Sequence, residues 1–188
     1  IESDMLLYLL TSIGSDGVPN TGDEADVVNR SGGFSYLFNK GADEGSAFLE
    51  YLTTIISPST TIVTANGNDG SGYGTCSSPS SEHVINAGAI YDLWWNNSSY
   101  SGDLASFSSR GPNALGQIKP NVLAVGYLAP RVLPLFETHN GKTAWNDMGG
   151  GTSSATPHVA SVVALIYQAY KDAHGKFPTS EKARDILM

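Results

Sequence analysis

The segment Gly149-Gly150-Gly151-Thr152-Ser153-Ser154-Ala155-Thr156-Pro157-His158-Val159-Ala160 combines a hydroxyl with a glycine run and a helical pattern. Val159, Val162, Val163 and Ile166 recur at helical spacing, which predicts a helix from near Ser153 to Ala173, stopped by Gly175. Ser153 then lies in the first turn, where backbone N–H groups lack intrahelical acceptors and the helix dipole favours negative charge. A serine attacking a carbonyl from this position would place the resulting oxyanion where an anion is already stabilised. The glycines ahead of it let a substrate backbone approach closely. Pro157 is expected to fall in the tolerant first turn. A second segment, Ala65-Asn66-Gly67-Asn68-Asp69-Gly70, follows an apolar run, and the Asn68 amide can donate to an oxyanion without moving a proton. Taken singly, Gly-Thr-Ser could be only a helix cap and Asn-Gly-Asn-Asp-Gly only a turn.

These groups need a scaffold, and the hydrophobic pattern supplies one. Leu6, Leu9, Leu10 and Ile13 predict a helix over Ser3 to Ile13, and Phe48, Leu52, Ile55 and Ile56 another from Asp43 to Ser57. Ala25 to Asn29, Thr61 to Ala65, Val84 to Ile90 and the short run Asn121 to Val125 read as strands. Pro178-Thr179-Ser180-Glu181 opens a last helix. Strands rich in Val and Ile alternating with helices predict an α/β fold, a parallel sheet covered on both faces. A length of 188 residues suits one such domain.

Composition excludes several functions. Ten basic residues against 18 acidic ones give a net charge of −8, and charged residues make up only 15%, so no basic surface exists to neutralise phosphates of a nucleic acid. No apolar run reaches the roughly 18 residues of a membrane span. The lone Cys76 rules out an internal disulfide framework or a cysteine zinc site. Polarity carried by Ser, Thr, Asn, Gly and Tyr suggests a secreted protein, and Asn96-Asn97-Ser98-Ser99 holds two overlapping glycosylation sequons.

The 149–160 string resembles the nucleophile motif of the subtilisin-like serine peptidases, Gly-Thr-Ser-x-Ala-x-Pro-His-Val-Ala, at every fixed position. The resemblance implies that Ser153 is the nucleophile and that His158 is a structural residue of the helix. The 65–70 segment resembles the family's oxyanion loop, which implies Asn68 as the amide donor. Asp26-Val27-Val28-Asn29-Arg30-Ser31-Gly32-Gly33 resembles the strand on which a substrate peptide pairs. Ser31, Gly32 and Gly33 would form one wall of the pocket for the residue before the scissile bond, and Ala65, Asn66 and Gly67 the other, with Thr152 beside them. Ala105-Ser106-Phe107-Ser108-Ser109-Arg110-Gly111-Pro112 and Lys119-Pro120 resemble further landmarks. Departures are Arg30 for a common apolar residue, Gly32 for a bulkier one, Ser154 for methionine, and Asn121 and Val125 for the usual Asp and Pro.

The resemblance covers essentially the whole chain, 1–188, but only the C-terminal part of the family's domain. The family's catalytic histidine and aspartate segments precede the matched region and are not found, so the chain is expected to be cut at both ends and inactive without the N-terminal portion, its partner beside a polypeptide substrate. The early strands of the sheet would be absent, leaving an open edge. Two alternatives stay open: an acid-active sedolisin-type peptidase, whose family carries an aspartate at the Asn68 position, and a catalytically dead module that binds peptides or serves assembly. Catalysis needs no cofactor, while Asp16, Asn20, Asp23 and Glu24 could supply oxygen ligands to a structural calcium.

Overall fold

A computed structural model of the chain describes residues 16–18, 21–34, 40–91, 102–132, 138–139, 142–143 and 145–188, with side chains from 128 to 149 left undescribed. The helix expected at Ser3 to Ile13, the loop with the sequons and Asn20 fall outside the described residues.

Strand β1 is Val27–Arg30. Helix α1, Glu44–Tyr51, is capped by Asp43, whose side chain accepts from the Ser46 N–H. It continues into a π-helical turn, Leu52–Ile56, instead of remaining α-helical to Ser57. The Thr53 and Thr54 hydroxyls donate back to the Leu49 and Glu50 carbonyls at 2.9 and 2.6 Å, and such back-bonding competes with the regular ladder. Strands β2, Thr61–Ala65, and β3, Ile85–Tyr91, follow. Strand β4 runs over Val122–Val132, longer than its apolar start indicated. A short ribbon of β5, Thr138–His139, and β6, Lys142–Thr143, leads to β7, Trp145–Gly150. Helix α2, Thr152–His174, ends on Gly175 in the left-handed region, and α3, Ser180–Leu187, is capped by Thr179.

The main sheet has the order β1-β2-β3-β4-β7. The first four strands are parallel, in registers such as Val28 with Ile62 and Val63 with Ile85. The expected parallel sheet is thus present, and β7 adds an antiparallel edge strand beside β4. Its end, Gly149-Gly150, is the glycine run that precedes the serine helix. The glycines lie in the ladder because a Cβ on Gly150 would fall 2.6 Å from the Tyr127 ring.

Side chains alternate across the sheet as strand geometry requires. Val28, Ile62 and Val84 pack with Leu49 and Leu52 of the α1 segment on one face. Val63, Ile85 and Ala87 pack with Val159, Ala160, Val163 and Tyr167 of α2 and Ala183 of α3 on the other. Helices therefore cover both faces. The ends of β1 and β2 and the start of α2 converge, as the contact from Ser153 to Ser31 records.

Candidate active site

α2 begins one residue earlier than the pattern suggested, with Gly151 at its N-cap and Thr152 as its first residue. Gly151 has φ 136°, a conformation that a side chain would strain, and its N–H donates to the Gly126 carbonyl at 2.6 Å. Gly126 permits this approach, since a Cβ there would meet Ala89 at 2.5 Å and the Gly151 carbonyl at 2.8 Å. β4 thus seats the turn that starts the helix. Pro157 lies in the second turn, not the first, so the Ser153 carbonyl has no ladder N–H to accept.

Ser153 is exposed, and its hydroxyl donates to the Ser31 carbonyl at 3.1 Å. Thr152 is wholly buried, and its hydroxyl binds two ways: it accepts from the Gly67 N–H at 3.2 Å and donates to Asn68 Oδ1 at 3.1 Å. The Thr152 N–H also donates to Asn68 Oδ1, at 2.8 Å. Two donors on Oδ1 fix the orientation of the amide and turn its NH₂ the other way. Nδ2 has no recorded acceptor among the described residues. Ser153 and Asn68 therefore border one exposed spot, with the first-turn N–H groups of α2 beside them.

Ser109 holds the Asn68 loop from behind. Its N–H donates to Gly67 O at 3.0 Å, its hydroxyl accepts from the Asp69 N–H at 2.9 Å, and its carbonyl accepts from Asn66 Nδ2 at 2.6 Å. The Phe-Ser-Ser landmark gives no hint of this role, because it rests on contacts to a loop some 40 residues earlier in the chain. Asn66 is 0% exposed and committed to Ser109, so it acts here through position, not surface contact.

Ser31 to Gly33 and Ala65 to Gly67 are both packed against Ser77, through Gly33 and through Ala65 to Gly67. Ser77 is 3% exposed, its N–H donates to Asn66 O at 2.7 Å and its hydroxyl to Ala65 O at 3.3 Å. A Cβ on Gly33 would lie 2.7 Å from Ser77 Oγ, whereas one on Gly32 would meet nothing within 4 Å. Phe34 and Ser78 exchange backbone hydrogen bonds at 2.8 and 3.0 Å. Below them the Asp43 carboxylate receives the Ser78 and Ser46 hydroxyls and the Ser46 and Gly41 N–H groups. Burial would push its carboxyl up, but these hydrogen bonds outweigh burial and hold it below the usual range. Ser77 carried no sequence signal beyond residue type, and Asp43 was legible only as the start of its helix.

His158, His83 and His174 are occupied elsewhere. His158 Nδ1 meets the Val125 carbonyl at 2.9 Å and ties α2 to β4. His83 pairs with Glu50, whose carboxyl that contact draws down against the upward push of burial. His174 stacks on Tyr170 near the far end of α2. Among the described residues no group of three acidic, histidine or cysteine side chains could hold a metal ion. Asp16, Asp23 and Glu24 accept turn N–H groups from Val18, Asp16 and Thr21 instead. Cys76 is buried, which pushes its thiol up and away from reactivity. No described helix is long and apolar enough to cross a membrane.

Lys119 is 4% exposed, and its ammonium donates to Ser81 O, Val84 O and Asn121 Oδ1 at 2.7, 3.3 and 3.1 Å. Desolvation draws its pKa down to about 8. Asn121 Oδ1 also accepts from the Asn86 N–H at 2.9 Å, so the residue that departs from the family landmark joins β3 to β4.

The chain is 32% identical to pyrolysin of Pyrococcus furiosus over 87% of its own length and 12% of pyrolysin. It is 38% identical to serine protease AprX of Bacillus subtilis over 67% of its length and 29% of AprX. Among solved structures, sphericase superposes with a TM-score of 0.66 at 20% identity, covering 98% of this chain and 54% of sphericase. The chain thus spans about half of that structure and less than a third of these two curated relatives. The model of the subtilase family matches residues 9–188, which include Asn68, Thr152 and Ser153, and the chain belongs to that family.

Proposed function

We propose that this chain is the part of a subtilisin-like serine endopeptidase that supplies the nucleophile and the oxyanion donor. Ser153 Oγ attacks the peptide carbonyl, the bond to the leaving amine breaks, and an acyl-enzyme forms that water then hydrolyses. Asn68 Nδ2 and the Ser153 N–H receive the oxyanion. The observation that carries this is the double anchoring of Asn68 Oδ1 on Thr152, which aims the free end of the amide past Ser153.

The proton on Ser153 needs a base. The Ser31 carbonyl that now accepts it cannot take it, and His158 and His83 are held by other partners. The reading therefore assigns the base and its orienting carboxylate to an N-terminal portion of the same peptidase domain, and predicts negligible turnover by this chain alone. An amide at position 68 supports the subtilisin mechanism over a sedolisin one, and the retained Ser153 and Asn68 argue against a dead binding module. The test has two arms. A fluorophosphonate should label Ser153 in the full-length protein, and peptide cleavage should appear only when this chain is joined by the N-terminal portion. Substantial cleavage by the isolated chain would overturn the assignment of the base, and absence of labelling in the full-length protein would overturn the nucleophile.

A further inference from the structure

The geometry points to Arg30 as a positioning residue for substrate, one that fixes the wall on which a peptide would pair. This inference rests on the peptidase reading of the groove.

Arg30 is the last residue of β1 and lies opposite Thr64 of β2. In parallel register the two side chains leave the same face of the sheet. Arg30 Nη1 donates to the Gly32 carbonyl and lies 3.4 Å from Thr64 Oγ1. The Thr64 hydroxyl donates to the same carbonyl at 3.3 Å. Two side chains from two strands thus hold one carbonyl of a segment, Ser31 to Gly33, that has no regular secondary structure of its own.

That segment needs holding. Gly32 has no side chain, and nothing lies within 4 Å of where its Cβ would be, so no packing from above restrains it. Its neighbours are fixed: Ser31 O accepts the Ser153 hydroxyl, and Phe34 pairs with Ser78. Only the peptide between Gly32 and Gly33 is left to rotate, and two adjacent glycines resist rotation least. The peptide is planar and trans, so drawing the Gly32 carbonyl inward directs the Gly33 N–H outward. An extended peptide added beside this wall would meet that N–H as its hydrogen-bond donor. Arg30 therefore sets the direction of a backbone donor without touching substrate or the reacting atoms.

The contribution is to binding of extended substrate, not to acyl transfer. Substituting Arg30→Met keeps length and removes the charged donor. A hydrogen bond to a charged group is worth enough for roughly a tenfold change in an equilibrium. In the full-length protein, R30M should lower kcat/KM for a tetrapeptide amide about tenfold, mostly through KM, and leave acylation by a single-residue nitrophenyl ester within about twofold. Equal loss on both substrates, or no loss on either, would overturn the inference. A second measurement on the ¹⁵N-labelled full-length protein is independent of turnover: titration with a tetrapeptide aldehyde should shift the Gly32 and Gly33 amides, and R30M should weaken that binding about tenfold. Unchanged binding in R30M would again overturn the role of Arg30. Failure of fluorophosphonate labelling with the R30M binding defect intact would fault the peptidase reading and leave the clamp standing.

Discussion

Replacing Asn121 by Asp probes whether Lys119 is an ammonium buried without a countercharge. Lys119 is 4% exposed and its three donors meet two carbonyls and one amide oxygen, all neutral. Its pKa falls to about 8 in the folded chain, against 10.5 for an unperturbed lysine. Between these values the unfolded chain holds a proton that the folded chain has released. Unfolding free energy must then rise with pH, at up to about 1.4 kcal/mol per unit. From pH 7 to 9.5 the gain is about 2 kcal/mol; it is complete above the unfolded pKa and lost as pH falls through 8. In N121D a carboxylate would take the place of Oδ1, keep the Asn86 N–H as a second donor, and restore the ammonium's preference for its proton. The rise should vanish, and stability at pH 7 should increase by about 1 kcal/mol after the cost of desolvating the carboxylate. Urea unfolding of both proteins at pH 7 and 9.5 measures this, in a Cys76→Ser background because the Cys76 thiol is coupled to Lys119, and the comparison cancels Tyr167. Tyr167, pushed up to about 12 by burial, sets the upper limit of the useful window. Parallel pH dependence in the two proteins would refute the account of Lys119.

Asn68→Ala in the full-length protein should reduce kcat about 10²–10³-fold with little change in KM; that range is known from subtilisin, a relative, and is carried over from it. Gly33→Ala should destabilise by about 1–3 kcal/mol, because its Cβ meets Ser77 Oγ at 2.7 Å and Ser78 O at 2.8 Å, while Gly32→Ala should cost under about 0.5 kcal/mol. Thermal melts of the two variants decide this. Tyr167→Phe should cost about 1–2 kcal/mol in urea unfolding, since the buried phenol donates to Ser59 O at 2.6 Å and meets Thr61 Oγ1 at 2.9 Å.

The parallel part of the sheet was legible because burial on both faces writes itself as unbroken Val/Ile runs, as in Thr61-Ile62-Val63-Thr64-Ala65. α2 was legible because its buried stripe keeps helical period through Val159 and Val163. β7 was not, because Trp145-Asn146-Asp147-Met148-Gly149-Gly150 neither alternates nor favours strands, and its pairing is decided by β4. The π-helical end of α1 was hidden because Leu52, Ile55 and Ile56 fit either register. Of the candidate site, Ser153 and Asn68 could be named from their strings. The groups that position them could not: Gly126, Ser77, Ser109 and Asp43 act through distances between segments far apart in sequence, which no local pattern encodes.

One hydroxyl, that of Thr152, ties the loop at the start of α2 to the loop at Gly67 and Asn68, 85 and 84 residues earlier in the chain. Neither loop can drift without breaking contacts in the other, so the pair behaves as a single stiff bracket. A charge developing there would find its donors stationary, and little reorganisation would accompany its arrival. Disturbance would travel as readily as support, so that a poor residue beside Gly67 or Asp69 would be felt at Ser153 even with every atom of the helix in place.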